Sequence, residues 1–203
     1  MRVLVACEYS GIVREAFKKK GHYVMSCDLL PTEIEGEHYQ GDVFDIIDNG
    51  WDLMIAHPPC TFLTVAANRW YKPQYKERFP NREQDRKDAI NFFTRLINTD
   101  IPRTAIENPI GIMSSLYRKP NQVIQPYFFG DKERKGTCLW LKALPNLVPT
   151  NMVEPEIIYH KSGRTDGKLH FETLKLPKEE RAKARSKTFQ GIADAMAEQW
   201  GNL

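Results

Sequence analysis

The chain has 203 residues, 41% of them hydrophobic and 27% charged, with a formal net charge of +3. That is the profile of one globular core with at most a short appendage. No apolar run approaches the roughly 20 residues a membrane-spanning helix needs. The stretch MRVLVACEYSG is interrupted too soon by Glu8 to read as a secretory signal, so a cytoplasmic location is expected. The four cysteines, Cys7, Cys27, Cys60 and Cys138, form no close-spaced pair. Reduced thiols are therefore expected, with neither disulfides nor a metal site. The mild positive charge permits nucleic-acid binding without arguing for it, so local distribution has to decide.

Strands and helices alternate in the first half. Arg2–Cys7 is a short β-branched run, and Ser10–Lys20 has Ile12, Val13, Ala16 and Phe17 at helical spacing with Ser10 as N-cap. Gly21 ends that helix. His22–Cys27, Tyr39–Val43 and Trp51–His57 read as the next three strands, the last stopped by Pro58-Pro59. Gln84–Asn98 is an amphipathic helix, and Arg103–Glu107 a fifth strand ended by Asn108-Pro109. This alternation predicts a doubly wound α/β fold, Rossmann-like. Gln122–Phe129 and Thr137–Leu141 read as an antiparallel edge that makes the sheet mixed. His160–Lys187 is polar and turn-rich, with nine Lys or Arg against four acids, and a helix over Thr188–Trp200 closes the chain. The expected organisation is a catalytic core over 1–150, a short basic recognition insert over 151–187, and a C-terminal helix over 188–203 that returns to the core.

In doubly wound sheets, ligands bind beyond the carboxyl ends of the strands. Those ends carry Glu8-Tyr9-Ser10-Gly11, Asp28-Leu29, Asp42-Val43, His57–Cys60 and Glu107-Asn108. An acid after the second strand commonly accepts from a ribose diol, which places Asp28 on the cofactor side, with Gly11 giving the backbone its close approach. Asp42 is a candidate for an adenine amine. No GxGxxG is present, which argues against a nicotinamide cofactor. Against these assignments stands the plainer possibility that Asp28 caps a turn and Gly11 starts a helix. Cys60 follows two prolines in a loop, where a thiol can be presented and activated by basic neighbours; Cys7, Cys27 and Cys138 lie in apolar strands and read as core. Glu107, at a strand end beside Asn-Pro, is a candidate for acid–base or hydrogen-bonding work.

This order of motifs resembles the cytosine-5 DNA methyltransferases, in particular small phage and prophage members. ACEYSGIVREAF stands where that family has its cofactor turn, HPPC is similar to its Pro-Cys loop, and IENP to its Glu-Asn motif. HPPCTFLTVAANRW, TCLWLKALPNLVPT and RSKTFQGIADAMAEQW extend the likeness over most of the chain. It departs at Thr61, where Gln is common, at Ile12 or Val13, where a second glycine is usual, and in lacking a large recognition domain. The resemblance implies the cofactor S-adenosylmethionine (SAM), held by Glu8, Tyr9, Ser10, Gly11, Asp28, Leu29, Asp42, Val43, His57 and Pro58. It also implies Cys60 as nucleophile, Glu107 against the flipped cytosine, Asn108 holding the nucleophile loop, and Arg134 or Lys135 supporting the base. A monomer encoded by a phage or a restriction-modification system is the expected setting. Two rivals are an amino-methyltransferase, for which HPPC lacks the stacking aromatic, and a non-catalytic SAM- or nucleotide-binding module.

DNA is the expected partner. Thr61–Lys87 interleaves Arg69, Lys72, Lys76, Arg78 and Arg82 with Phe62, Trp70, Tyr71, Tyr75 and Phe79, which predicts a lid over a phosphate backbone. In 160–187, Ser162-Gly163 and Asp166-Gly167 suit a tight hairpin that would place Arg164 and Lys168 against phosphates.

Overall fold

The computed structural model describes residues 1–203. The alternating first half is β1 (Arg2–Ala6), α1 (Ile12–Lys19), β2 (Tyr23–Asp28), β3 (His38–Gln40), β4 (Leu53–Ala56), α2 (Arg82–Ile97) and β5 (Arg103–Pro109). These five strands pair in parallel in the spatial order β3-β2-β1-β4-β5. Then come α3 (Met113–Leu116), β6 (Gln122–Ile124) and β7 (Thr137–Lys142), which complete a seven-stranded sheet. The fold is thus α/β, doubly wound and Rossmann-like, with a mixed sheet.

Side-chain alternation shows why both faces are covered. Val3 and Val5 of β1 pack in one apolar cluster with Val13 and Phe17 of α1. That cluster also takes Met196 and Trp200 from the last helix, α6 (Gln190–Trp200). Leu4 and Ala6 point the other way, into a cluster with Met54, Phe93, Leu96 and Trp140. All four residues of β4 are buried, as expected of a central parallel strand.

The antiparallel edge expected of the two later strands is present: β7 pairs antiparallel with β5 and with β6, and β6 forms the border. Two expectations are corrected. The strand expected over Gln122–Phe129 stops at Ile124, and Pro126–Phe128 form a 3₁₀ turn, because proline cannot donate to a ladder. The N-cap of α1 is Gly11 rather than Ser10, at φ 76°. The helix end is instead satisfied by Glu8, whose carboxylate accepts from Val13 N at 2.7 Å and Arg14 N at 3.3 Å, an anion at the positive end of the helix.

The basic region is also more ordered than its composition indicates. It contains a hairpin of β8 (Ile157–Tyr159) and β9 (Thr165–Gly167), then α4 (Lys168–Glu172) and α5 (Lys178–Ser186). The hairpin turn uses Gly163 at φ 81°, while Gly167 precedes α4 as its cap. No helix is long and apolar enough to cross a membrane.

Candidate active site

The chain runs outward from β1 through β2 to β3, then returns to place β4 on the other flank of β1. The carboxyl ends of β1 and β4 therefore flank a topological switch point, where open α/β sheets bind ligands. A cleft opens there in two lobes that share Cys7, Asp28 and Pro59. The smaller, about 200 Å³, is a mainly apolar slot among Cys27, Leu29, Val43 and Phe92, with Asp28 and Asp42 at its border. The larger, about 400 Å³, runs past Glu8, Tyr9 and Ser10 to His57, Pro58, Cys60, Glu107, Asn108 and Lys135.

In the slot, Asp28 Oδ1 accepts from Leu30 N at 2.9 Å and Asp42 Oδ1 from Phe44 N at 3.0 Å. Both acids thus brace local turns with one oxygen and keep the other without a protein partner. Cys7 is not part of the strand: it lies one residue past β1 with φ 58°, an unusual conformation for a residue with a Cβ. It lines both lobes instead of the core.

The loop that follows β2 is tied to α1 by Arg14, which is completely buried. Its guanidinium donates to Ser26 Oγ (3.0 Å), Thr32 Oγ1 (3.1 Å) and Ile34 O (2.5 Å). A Cβ on Gly11 would come within 2.9 Å of this group. Gly11 therefore serves the packing of Arg14 as well as the turn, and it does not line the cleft.

In the larger lobe, two prolines bring the chain from β4 to Cys60 and supply no N–H. Asn108 is buried and its Nδ2 donates to Pro58 O at 2.8 Å. Glu107 Oε2 faces His57 Nδ1 at 3.1 Å, and its Oε1 has no protein partner. Burial pushes the Glu107 carboxyl up, but the His57 hydrogen bond and the Lys135 charge outweigh it and hold the group below its usual range. Burial, followed by the Glu107 charge, raises the Cys60 thiol, and Lys135 opposes both. Cys7, Cys27 and Cys138 are raised as well, Cys27 to about 12, with no cation pulling any of them down. Cys60 alone among the four thiols has a cation beside it that favours thiolate.

Of the two basic candidates for this site, Arg134 and Lys135, the structure excludes Arg134 and retains Lys135. Arg134 is exposed and donates to Thr165 Oγ1 at 2.8 Å, whereas Lys135 lines the cleft. Successive residues in extended chain point to opposite sides, so only one of the two can face Cys60.

The chain also covers the cleft with residues that sequence reasoning did not assign to it. The end of α5 and the following turn contribute Lys183, Arg185, Ser186 and Lys187. They are held by Tyr9 OH on Lys183 O (2.8 Å), Lys135 Nζ on Arg185 O (2.9 Å) and the Lys187–Glu33 ion pair (2.6 Å). Phe92 of α2 closes the slot.

The two cationic segments differ. Arg69, Lys72, Lys76 and Arg78 are exposed and none forms an ion pair. Arg82 is built into its own segment, its guanidinium 5.1–5.5 Å from the ring centroids of Phe62, Tyr71 and Phe79. Arg164 pairs with Asp166 at 2.6 Å and Lys168 with Glu156 at 2.8 Å.

These elements define an α/β protein with a two-lobed cleft at the switch point and a thiol, a carboxylate and an ammonium group at one end of it. No family model matches the chain, and no curated protein matches it. Among solved structures it is similar to the Dnmt2 methyltransferase of S. pombe, at 13% identity and a TM-score of 0.39. The alignment covers 72% of this chain and 50% of that one, so the chain spans about half the length of that protein.

Proposed function

We propose that this chain is a SAM-dependent methyltransferase that modifies carbon 5 of cytosine in DNA through a covalent bond to Cys60. One observation carries the proposal: Cys60, Glu107 and Lys135 converge at one end of a cleft whose other lobe is an apolar slot bordered by Asp28 and Asp42. The slot fits an adenosine moiety, with a flat apolar space between Val43, Leu29 and Phe92 and a carboxylate oxygen of each acid free for a ribose diol or an amine. The polar turn Glu8–Ser10 lines the larger lobe, where it would meet the rest of the cofactor, with the Glu8 carboxylate itself held by the start of α1. When bound, SAM supplies an electrophilic methyl group.

The residues themselves can do the remainder. A cytosine inside a duplex is out of reach, so the base must be extruded into the larger lobe. The Cys60 thiolate forms a bond to ring carbon 6, and the ring electrons move toward carbon 5 and nitrogen 3. Glu107 accepts from the exocyclic amine with its free oxygen, nitrogen 3 takes up a proton alongside it as negative charge builds there, and Lys135 lowers the cost of the thiolate. Once carbon 5 carries the methyl group, water in the open cleft takes the carbon 5 proton, the electron pair of that bond re-forms the carbon 5–carbon 6 double bond, and Cys60 leaves as thiolate. Asn108 keeps Pro58, and with it Cys60, in place.

Arg69, Lys72, Lys76 and Arg78 supply the surface for phosphates: they are exposed and unpaired with any carboxylate, although Arg69 and Arg78 also lie over the rings of Trp70 and Phe79, and by neutralising phosphates they displace the counterions of the DNA. Arg164 and Lys168 are neutralised within their own region and are assigned no such part. Mass spectrometry of nucleosides from the DNA of an expressing cell tests the proposal: 5-methylcytosine is expected. N4-methylcytosine or N6-methyladenine would overturn the covalent chemistry, and an unmodified nucleoside pool would overturn the activity.

A further inference from the structure

The function proposed above gives His57 no chemical part, yet its surroundings are unusual. Its side chain is 7% exposed, Nδ1 meets Glu107 Oε2 at 3.1 Å, and Nε2 is buried with no hydrogen-bond partner. A polar ring atom left unpaired in the interior is costly, and such an atom in a native fold calls for a reason. The backbone that carries the ring is fixed: His57 N donates to Ala6 O at 2.9 Å, and Pro58 restricts the residue before it. Glu107 is equally committed: His57 is the only protein group that hydrogen-bonds its side chain. Each side chain therefore fixes the other across β4 and β5, and the fixing leaves Oε1 as the oxygen available to the cleft.

We propose that His57 is a positioning residue for Glu107, donating from Nδ1 to Oε2 so that Oε1 is presented to the base that Cys60 attacks. The inference rests on the cytosine-5 reading of the site. It departs from the sequence-based expectation that His57 belongs to the cofactor side.

The test uses His57→Leu, which fills the space without a donor, and His57→Asn, whose Nδ2 can replace the Nδ1 donor. Steady-state methylation of DNA with labelled SAM gives kcat and both KM values, and thermal melts verify folding. His57→Leu is expected to lower kcat by about 100-fold, the scale of a misplaced catalytic group, and His57→Asn to recover to within about 10-fold of wild type. Both KM values should stay close to wild type.

Equal losses in the two variants would overturn the proposal, since a packing role does not distinguish Asn from Leu by its donor. A raised KM for SAM with unchanged kcat would also overturn it and return His57 to the cofactor site. If wild type makes no 5-methylcytosine, the functional reading itself falls and the proposal falls with it. Active wild type with an unaffected Leu variant removes the positioning role alone.

Discussion

Removing the amide of Asn108 tests how the nucleophile is held. The loop His57–Cys60 contains two prolines, so only His57 and Cys60 can offer backbone donors. It is fixed at entry by His57 N on Ala6 O (2.9 Å), in the middle by Asn108 Nδ2 on Pro58 O (2.8 Å), and at exit by Leu63 N and Thr64 N on Cys60 O (3.0 and 3.1 Å). Asn108→Ala removes the middle tie and leaves a buried carbonyl without a donor, at a cost of about 1–3 kcal/mol. For a chain of this size 1 kcal/mol corresponds to about 2–4 °C in melting temperature, so a loss of about 2 kcal/mol lowers Tm by about 4–8 °C. The same energy, spent on displacing Cys60, slows the chemical step by about 5- to 150-fold, at about 1.4 kcal/mol per tenfold. Asn108→Asp keeps the shape but sets a carboxylate oxygen against the Pro58 carbonyl, and should cost at least as much. Thermal melts and single-turnover methyl transfer at saturating SAM measure the two effects. An Ala variant that melts with wild type and transfers methyl within twofold of it would refute the tie.

The electrostatics of the cleft predict the behaviour of Lys135→Met. Without the ammonium the thiolate of Cys60 loses its one nearby cation, so the thiol titrates at higher pH, and the alkylation of Cys60 by iodoacetamide should move to more alkaline pH; an unchanged profile would contradict the role of Lys135. Replacing Arg69, Lys72, Lys76 and Arg78 by Ala should weaken DNA binding and flatten the slope of log K against log salt by about 0.9 for each phosphate no longer neutralised. Arg164→Ala with Lys168→Ala should leave the slope unchanged, and the reverse pattern would show that the hairpin carries the DNA. Asp28→Ala should weaken SAM binding by about 1–3 kcal/mol, the loss of a charged acceptor; calorimetry with an unchanged Kd would reduce Asp28 to the turn brace it forms with Leu30 N.

How far the sequence reveals this site follows from the range of the interactions. The rim was legible because strand ends are local features: Pro58-Pro59 stops β4 wherever the strand lies, and an acid ends β2. The order of elements also carried the sheet, since parallel pairing with crossover helices leaves few topologies. Long-range pairings were not legible. His57 meets Glu107 across 50 residues and Tyr9 meets Lys183 across 174, and no local pattern encodes either. The same limit explains Arg164 and Lys168, which count as free charges in a composition but are paired once β8 and β9 align and Glu156 comes near. Arg134 and Lys135 differ only in which way one residue points, which depends on how the turn enters β7. Left-handed Cys7 had no marker, because the favoured residue for such a turn is glycine.

The most direct test of the account is covalent trapping on DNA that contains 5-fluorocytosine. Fluorine at carbon 5 cannot leave as a proton, so the bond from Cys60 to carbon 6 persists after methyl transfer. With SAM present, wild type should form a protein–DNA adduct stable to denaturation, and peptide mapping should place it on Cys60. Cys60→Ser should form none while binding SAM as wild type does. An adduct on another cysteine, or methyl transfer by the Ser variant at the wild-type rate, would contradict the assignment.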